Sequence, residues 1–279
     1  MKFTKFQATG NDFILIDARG LERDWAELAK VMCRRRFGVG ADGLILVLES
    51  EKADFRMREF NPDGSEAEAC GNGLRCFAKW VIDKRLIEGT KLKVETLGGI
   101  RKAEAELSQG KVTSVWVGMG SPRFAPAEIP ARVAAETPKP ILNYPVKVGG
   151  QEIKVSLVSM GNPHAVSFLS EPVSEFPLSK IGPEMENHPL FPNRINFEIV
   201  NVESRDIVKA RVWERGVGET LSCGSGACAI AVVAKLLEMV TDKVKIKLPG
   251  GMLEVEWDGK GEVRLGGPAE MVFEGEWLT

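Results

Sequence analysis

The chain has 279 residues, of which 44% are hydrophobic and 27% are charged, and its formal net charge is −2 at pH 7. These values are typical of a globular protein and give no basic surface for nucleic acid or an anionic membrane. The first residues lack the apolar core of a signal peptide, and no apolar run is long enough to span a bilayer. Five cysteines, an odd number in a chain too large to need disulfides, favour a reducing cytoplasm. With two histidines and no paired CxxC spacing, no metal site is expected.

Hydrophobic periodicity predicts a strand-rich chain with one prominent helix in each half. Predicted strands lie at 13–17, 44–48, 55–60, 153–158, 165–169 and 208–213, and predicted helices at 25–35, 70–85 and 223–239. Glycine pairs at 98–99 and 250–251 predict hairpin turns. A proline-rich stretch over 121–145 predicts a crossover and part of a linker. Because strands outnumber helices, we expect an α+β fold in which an antiparallel, barrel-like sheet wraps around a central helix in each half.

The two halves repeat one plan. The motif CGNG at 70–73 returns as CGSG at 223–226, and the turn GN at 10–11 returns at 161–162. The offset between matched landmarks stays between 151 and 153 positions. Such self-similarity predicts an internal duplication, which gives two like-folded domains with a cleft between them.

A cysteine stands at each predicted helix entrance, Cys70 in the first half and Cys223 in the second. Unpaired backbone N–H groups and the positive end of the helix dipole favour a thiolate there, and flanking glycines let the backbone approach a ligand. A single cysteine in this position is usually a small packing residue. A matched pair indicates an acid and a base that act on one substrate atom, so that one thiolate removes an α-proton and the other cysteine returns a proton to the opposite face.

Several other features have ordinary explanations. The run GVGADG at 38–43 follows a predicted helix and precedes a strand, which is the wrong order for a dinucleotide-binding loop. Cys33, Cys76 and Cys228 lie on predicted helices and are expected in the core. His164 would ordinarily be a strand-end histidine, but its place in the repeated Gly-Asn turn directs it toward the predicted cleft.

Together these motifs resemble those of the diaminopimelate epimerases, which are cofactor-independent amino-acid epimerases, along nearly the whole chain. The resemblance is carried by GNDF at 10–13, FNPDGS at 60–65, CGNG at 70–73, GNPH at 161–164, ERG at 214–216 and CGSGACA at 223–229. It implies conversion between LL- and meso-2,6-diaminopimelate, in lysine and peptidoglycan precursor synthesis, without pyridoxal phosphate, metal or any other cofactor. It also implies a homodimer, and two domains that comprise residues 1–118 with 266–279 and residues 119–265.

By the same resemblance, individual residues receive roles. Cys70 and Cys223 would form the acid–base pair, each serving as the base for one stereoisomer. The residues implied to hold the reacting carboxylate are Gly71, Asn72, Gly224 and Ser225, and those implied to orient the α-ammonium centre are His164 and Glu214. The residues implied to recognise the substrate, chiefly its distal end, are Asn11, Asn61, Asn162, Asn196 and Arg215. Some members carry a glutamine where Gly43 stands, so one distal contact is expected to be missing or replaced by water.

Three alternatives remain open. The nearest is a proline or hydroxyproline racemase of the same architecture, although such enzymes favour a histidine at the position of Asn72 and need less distal recognition. A non-catalytic binding protein of the same fold would be expected to lack one of the two cysteines. A redox switch based on a disulfide between Cys70 and Cys223 is the third, and we interpret that disulfide as an inactivating side reaction.

Overall fold

The computed structural model describes residues 1–68 and 70–278. Ala69 and Thr279 lie outside the described residues, and both belong to the first predicted domain, which comprises residues 1–118 and 266–279. The chain divides into two compact units, one formed by Met1–Gly118 with the segment from Gly266 onward, and the other by Met119–Leu265. Within the described ranges, none of the helices is long and apolar enough to cross a membrane.

In the described part of the chain, the first unit contains eight strands and two helices from the N-terminal segment, and it is completed by the end of one strand and by a second strand near the C-terminus. In chain order the N-terminal segment forms β1 (Lys2–Ala8), β2 (Asn11–Asp17), α1 (Trp25–Met32), β3 (Gly43–Leu48), β4 (Phe55–Phe60), β5 (Glu66–Ala67), α2 (Gly71–Asp83), β6 (Lys91–Thr96), β7 (Gly99–Ser108) and β8 (Lys111–Gly118). Helix α2 packs against six of these strands, and ten of its thirteen residues are buried.

The second unit repeats this arrangement. Its elements are β9 (Tyr144–Val148), β10 (Gln151–Ser159), β11 (Pro163–Phe168), α3 (Leu178–Glu186), β12 (Asn196–Ser204), β13 (Ile207–Glu214), β14 (Gly218–Thr220), α4 (Gly224–Leu236), β15 (Lys243–Leu248) and β16 (Gly251–Glu256). Strand β17 (Arg264–Gly267) crosses the boundary, and β18 (Glu270–Glu276) pairs with β1 in the first unit. Helix α4 packs against five strands of its unit, and ten of its thirteen residues are buried.

The predicted α+β class, with a sheet around a central helix in each half, is confirmed. Four strand pairs of the described residues are parallel, β2–β3 and β4–β6 in the first unit and β11–β12 and β13–β15 in the second, whereas the hairpin pairs are antiparallel. A helix connects the members of each parallel pair, because a chain must cross the sheet before it can return in the same direction. The predicted hairpin turns are confirmed between β6 and β7 and between β15 and β16.

Two features of the second unit differ from the sequence-based expectation. Helix α3 was not predicted, because Gly182 and Pro183 lie inside it and both residues weaken the helical signal. The proline-rich stretch over 121–145 is packed on the second unit, where Ile129 and Ile141 are fully buried in the core, so its interpretation as a linker is wrong.

Helix α3 approaches β13 closely because Gly182 has no side chain. A Cβ atom at Gly182 would lie 2.4 Å from the Trp213 ring, which is too close for a real contact. We expect Gly182→Ala to destabilise the protein by about 1–3 kcal/mol, since the ring or the helix must shift. The exposed change Ser179→Ala in the same helix should alter stability by less than about 0.5 kcal/mol. Urea denaturation would compare the two variants, and equal midpoints would contradict the close packing.

Candidate active site

Each cysteine of the matched turns is the N-cap residue of a central helix. Cys70 precedes α2 with φ −106° and ψ 125°, and Cys223 precedes α4 with φ −124° and ψ 114°. The first helical hydrogen bond is equivalent in both, since the carbonyl oxygens of Cys70 and Cys223 accept from Leu74 at 2.8 Å and Ala227 at 2.9 Å. Both thiols therefore stand beside the N–H groups of the first helical turn.

In the first unit the Cys70 thiol belongs to a cluster of amide side chains. Its Sγ atom lies 3.7 Å from Asn11 Oδ1, and that oxygen also accepts a hydrogen bond from Asn72 Nδ2 at 3.1 Å. Asn72 is only 2% exposed, and its Oδ1 atom has no hydrogen-bond partner among the described residues. Asn72 Oδ1 is thus a buried acceptor at the helix entrance.

A charged network holds Asn11 in place, and the sequence did not predict it. Asp42 Oδ2 accepts hydrogen bonds from Asn11 Nδ2 at 2.8 Å and from the Asp12 backbone N–H at 3.0 Å. The Arg35 guanidinium bridges Asp12 and Asp42, and Lys5 Nζ lies 2.6 Å from Asp12 Oδ2. Burial by itself would raise the pKa of Asp12, but hydrogen bonds from Arg35 and Lys5 outweigh burial and hold that pKa well below its usual range.

In the second unit a chain of hydrogen bonds leads away from Cys223. Its Sγ atom accepts from the Gly226 backbone N–H at 3.4 Å and lies 3.5 Å from Ser225 Oγ. Asn162 Nδ2 donates to Ser225 Oγ at 3.1 Å, and Asn162 Oδ1 lies 3.0 Å from His164 Nε2. The other ring nitrogen, His164 Nδ1, lies 2.6 Å from Glu198 Oε1. His164 and Glu198 are both fully buried, so the chain runs from the thiol into the core.

The helix entrance does not lower the pKa of Cys223 below its usual value. Burial, followed by the nearby charges of Glu214 and Glu198, raises this pKa well above its usual value. The hydrogen bonds with Ser225 and the Gly226 N–H lower this pKa but do not offset the effect of burial. The expectation of a favoured thiolate is therefore wrong for Cys223, because N–H groups at a helix entrance cannot offset complete desolvation.

The residues implied to recognise the distal end of a substrate have local partners. Asn196 Nδ2 donates to the Pro163 carbonyl at 3.0 Å, and Asn196 Oδ1 accepts from the Arg215 backbone N–H at 2.8 Å. Asn61 Nδ2 donates to Ser65 Oγ at 2.9 Å in the turn after β4. Asn196 thus fixes the backbone at Pro163 and Arg215, and Asn61 fixes the turn that contains Ser65.

Gly43 and Asn196 occupy matched positions, and the structure gives a reason for their difference. A Cβ atom at Gly43 would lie 3.1 Å from the Phe60 carbonyl oxygen and 3.3 Å from the Phe13 ring. Phe13 pairs with Gly43 across β2 and β3, as His164 pairs with Asn196 across β11 and β12. The aromatic ring fills the space that a longer side chain at position 43 would need.

The cysteines of the chain fall into two groups, the two N-cap cysteines and three others. The three others, Cys33, Cys76 and Cys228, are buried in the core, as predicted. Burial raises the pKa of Cys33 to about 11 and that of Cys76 to about 12. None of the five cysteines forms a disulfide. Across residues 1–68 and 70–278, no group of three or more histidine, cysteine, aspartate or glutamate side chains converges in a way that could hold a metal ion.

Solved structures place the chain in a fold class that includes amino-acid epimerases. A hydroxyproline epimerase from Agrobacterium vitis with bound trans-4-hydroxy-L-proline has a TM-score of 0.72 and 17% identity, with 99% of this chain and 91% of that chain covered. A PhzF-family phenazine biosynthesis protein from Bacillus anthracis has a TM-score of 0.69 and 19% identity, with 100% and 99% covered. At these identities the likeness concerns the fold alone.

The chain belongs to the diaminopimelate epimerase family, whose sequence model matches residues 3–125 and 156–272. A diaminopimelate epimerase of Acetivibrio thermocellus is 48% identical over 278 residues, covering 99% of this chain and 98% of the relative. One of Moorella thermoacetica is 48% identical over 280 residues, covering 99% of both. The resemblance inferred from the motifs is confirmed, and the chain is an isomerase of this family.

The network around Asp12 yields a prediction for stability. We expect Asp12→Asn to lower the free energy of unfolding by about 2–4 kcal/mol, because the ammonium group of the buried Lys5 loses its carboxylate partner. The matched change Asp17→Asn breaks an exposed pair with Arg19 and should cost less than about 1 kcal/mol.

The pH dependence of this effect follows from the lowered pKa of Asp12. Its native pKa lies below that of the unfolded chain, so the stabilisation is present above about pH 4 and is lost as the pH falls. Urea denaturation between pH 3 and pH 7 should therefore show the wild-type advantage shrinking on acidification. A difference between wild type and Asp12→Asn that did not change with pH would contradict this assignment.

Proposed function

We propose that this protein interconverts LL- and meso-2,6-diaminopimelate by a two-base proton transfer at the α-carbon, in the synthesis of lysine and peptidoglycan precursors. The observation that carries the proposal is the equivalent backbone geometry of Cys70 and Cys223 as N-cap residues of the two central helices. Membership of the diaminopimelate epimerase family supports the substrate. In the proposed reaction each unit supplies one cysteine.

The chemistry requires stabilisation of a carbanion beside a carboxylate. In the proposed reaction, one cysteine as thiolate takes the α-proton and the other, as thiol, gives its own proton to the opposite face, so the configuration inverts. The substrate carboxylate would accept hydrogen bonds from N–H groups at the starts of α2 and α4, around Gly71, Asn72, Gly224 and Ser225. Fixed N–H dipoles in a site closed to water oppose the negative charge that develops on this carboxylate.

The polar groups near each cysteine support separate roles. Asn72 Oδ1, a buried acceptor without a partner in the described residues, suits the α-ammonium group or an N–H of the substrate. Both ring nitrogens of the buried His164 are already engaged, so His164 would act on the substrate through Asn162. Glu214, whose charge raises the pKa of Cys223, would contact the α-ammonium centre directly.

The distal amino-acid end would be recognised by amide groups and one cation. The Arg215 guanidinium suits a carboxylate because it offers paired N–H donors, while Asn196 holds the Arg215 backbone. Asn11, Asn61 and Asn162 would complete the recognition of the ammonium and carboxylate groups. These contacts favour diaminopimelate over proline, which has no second amino-acid end.

The reaction predicts solvent exchange at the α-carbon. Purified protein without added cofactor should epimerise LL-diaminopimelate and incorporate deuterium from ²H₂O, as measured by NMR and mass spectrometry. We expect Cys70→Ala and Cys223→Ala each to slow epimerisation by about 10²–10⁴-fold, because each removes one acid–base group. Cys76→Ala and Cys228→Ala are matched controls in the same two helices and should retain most activity.

Exchange of proline with no exchange of diaminopimelate would transfer the assignment to the proline racemase type. Near-normal turnover in either Cys70→Ala or Cys223→Ala would remove that cysteine from the mechanism.

We also propose that the protein acts as a homodimer in the cytoplasm. Five reduced cysteines suit a reducing compartment. Strand β18 exposes three consecutive apolar side chains, Met271, Val272 and Phe273, which are 45–56% exposed. A second copy of the chain that covers this strand would remove them from water.

A charge on β18 should weaken such a dimer. We expect Val272→Asp to shift the mass in sedimentation from dimer toward monomer. Val202→Asp, which alters an exposed valine on β12, should leave the mass unchanged. A wild-type protein that sediments as a monomer would exclude the dimer.

A further inference from the structure

Each unit holds one glutamate buried beneath the entrance of its central helix. Glu59 on β4 is 6% exposed and Glu198 on β12 is fully buried. A Cβ atom at Gly73, the third residue of α2, would lie 2.7 Å from Glu59 Oε2. One at Gly226, the third residue of α4, would lie 3.0 Å from Glu198 Oε1. The two carboxyl groups therefore occupy the same place relative to their helices.

These two glutamates do not correspond in the sequence repeat. Glu59 pairs across β3 and β4 with Ile45, whereas Glu198 pairs across β12 and β13 with Val212. In the repeat, Glu198 matches Ile45 and Glu59 matches Val212, so the carboxyl group comes from opposite strands of equivalent pairs. Paired residues on neighbouring strands lie side by side on one face, so either position can deliver the group. The two units place a carboxyl group at the same position from different strands. This indicates that the start of the central helix needs a carboxyl group there.

Neither carboxyl group has its full set of hydrogen bonds. Glu59 accepts the Cys70 backbone N–H, and Glu198 Oε1 contacts His164 Nδ1, but Oε2 of each glutamate has no hydrogen-bond partner among the described residues. Burial raises the pKa of Glu59 to about 7, and burial raises that of Glu198 against the opposing effect of His164. A buried, incompletely bonded carboxyl group destabilises the fold, so folding does not explain its presence.

The groups around each glutamate define what it can do. The titratable groups that face Glu198 are His164 from β11, Glu214 from β13 and Cys223 at the start of α4. At α2, Glu59 accepts the backbone N–H of Cys70, and its charge acts on the thiol of Cys76, on which Arg75 also acts. A second negative charge beside a buried carboxylate is unfavourable, so Glu198 opposes a thiolate at Cys223. Glu59 accepts the Cys70 backbone N–H and is thereby placed to act in the same way on the Cys70 thiol.

We propose that Glu59 and Glu198 are paired positioning residues, each of which keeps the cysteine of its own unit as a protonated thiol before substrate binds. The two-base scheme needs one thiol as well as one thiolate, and two thiolates would be unproductive. This inference rests on the proposed roles of Cys70 and Cys223, but it concerns their ionisation and can be measured without substrate.

The test compares alkylation of the two cysteines within one molecule. Substrate-free wild type and Glu198→Gln would be treated with iodoacetamide at pH 8, and each cysteine would be quantified by peptide mass spectrometry. Replacing the Glu198 carboxyl group by an amide should speed alkylation of Cys223 about threefold for each tenfold increase in its thiolate fraction, since the larger thiolate fraction outweighs the lower nucleophilicity. Cys70 should react at its wild-type rate.

Glu59→Gln provides the mirror experiment. It should speed alkylation of Cys70 and leave Cys223 unchanged, and the increase should be larger at pH 8 than at pH 6. The reason for this pH signature is that Glu59, with a pKa of about 7, is mostly charged only at the higher pH. A purely structural role for Glu59 would not produce it.

Cys76 and Cys228, buried in the same helices, report on folding because they react only if a helix is exposed. If Cys228 is alkylated in Glu198→Gln, that variant is misfolded, and the result for Glu59→Gln alone tests the proposal. The proposal is overturned if no folded variant speeds its own cysteine, or if both cysteines respond equally. A wild type without deuterium exchange on diaminopimelate would overturn the proposed function while leaving this result interpretable.

Discussion

The entrance of a buried helix is the constraint on which both units depend. The first N–H groups of α2 and α4 have no partners within their helices, and both helices are largely buried. Glycine at the third helical position lets a strand side chain lie directly beneath these groups. At Cys223 the thiol accepts a helix N–H, which lowers its pKa, while the charge of the buried Glu198 raises it.

The two units solve the same problem with different chemistry. In the first, Asn11 is held by Asp42 and an ionic network in which Arg35 and Lys5 take part. In the second, Asn162 is hydrogen-bonded to His164, whose other ring nitrogen is hydrogen-bonded to the buried Glu198. A half-buried thiol in one unit and a buried thiol in the other follow from these surroundings. A reaction that needs an acid and a base at the same moment is compatible with such unequal partners.

Much of the fold could be read from the chain because local patterns and the tertiary structure agree. The strands at 13–17 and 208–213 form within β2 and β13, and the helix entrances at Cys70 and Cys223 lie where the glycine turns predicted. The misses have physical causes. Helix α3 carries a glycine and a proline that weaken its periodicity, and the predicted helix over 25–35 ends at Met32 as α1.

The sequence by itself determined the duplication, the α+β class, the matched cysteine turns and the family, because these depend on motifs and periodicity within short segments. Only the tertiary structure decided that Glu198, within an apolar run, lies under Gly226, and that Glu59 reaches the equivalent place from the other strand. It also decided the balance of charge around Cys223, where burial outweighs the helix entrance. Desolvation and contacts between distant segments depend on how strands pair, and no local pattern encodes them.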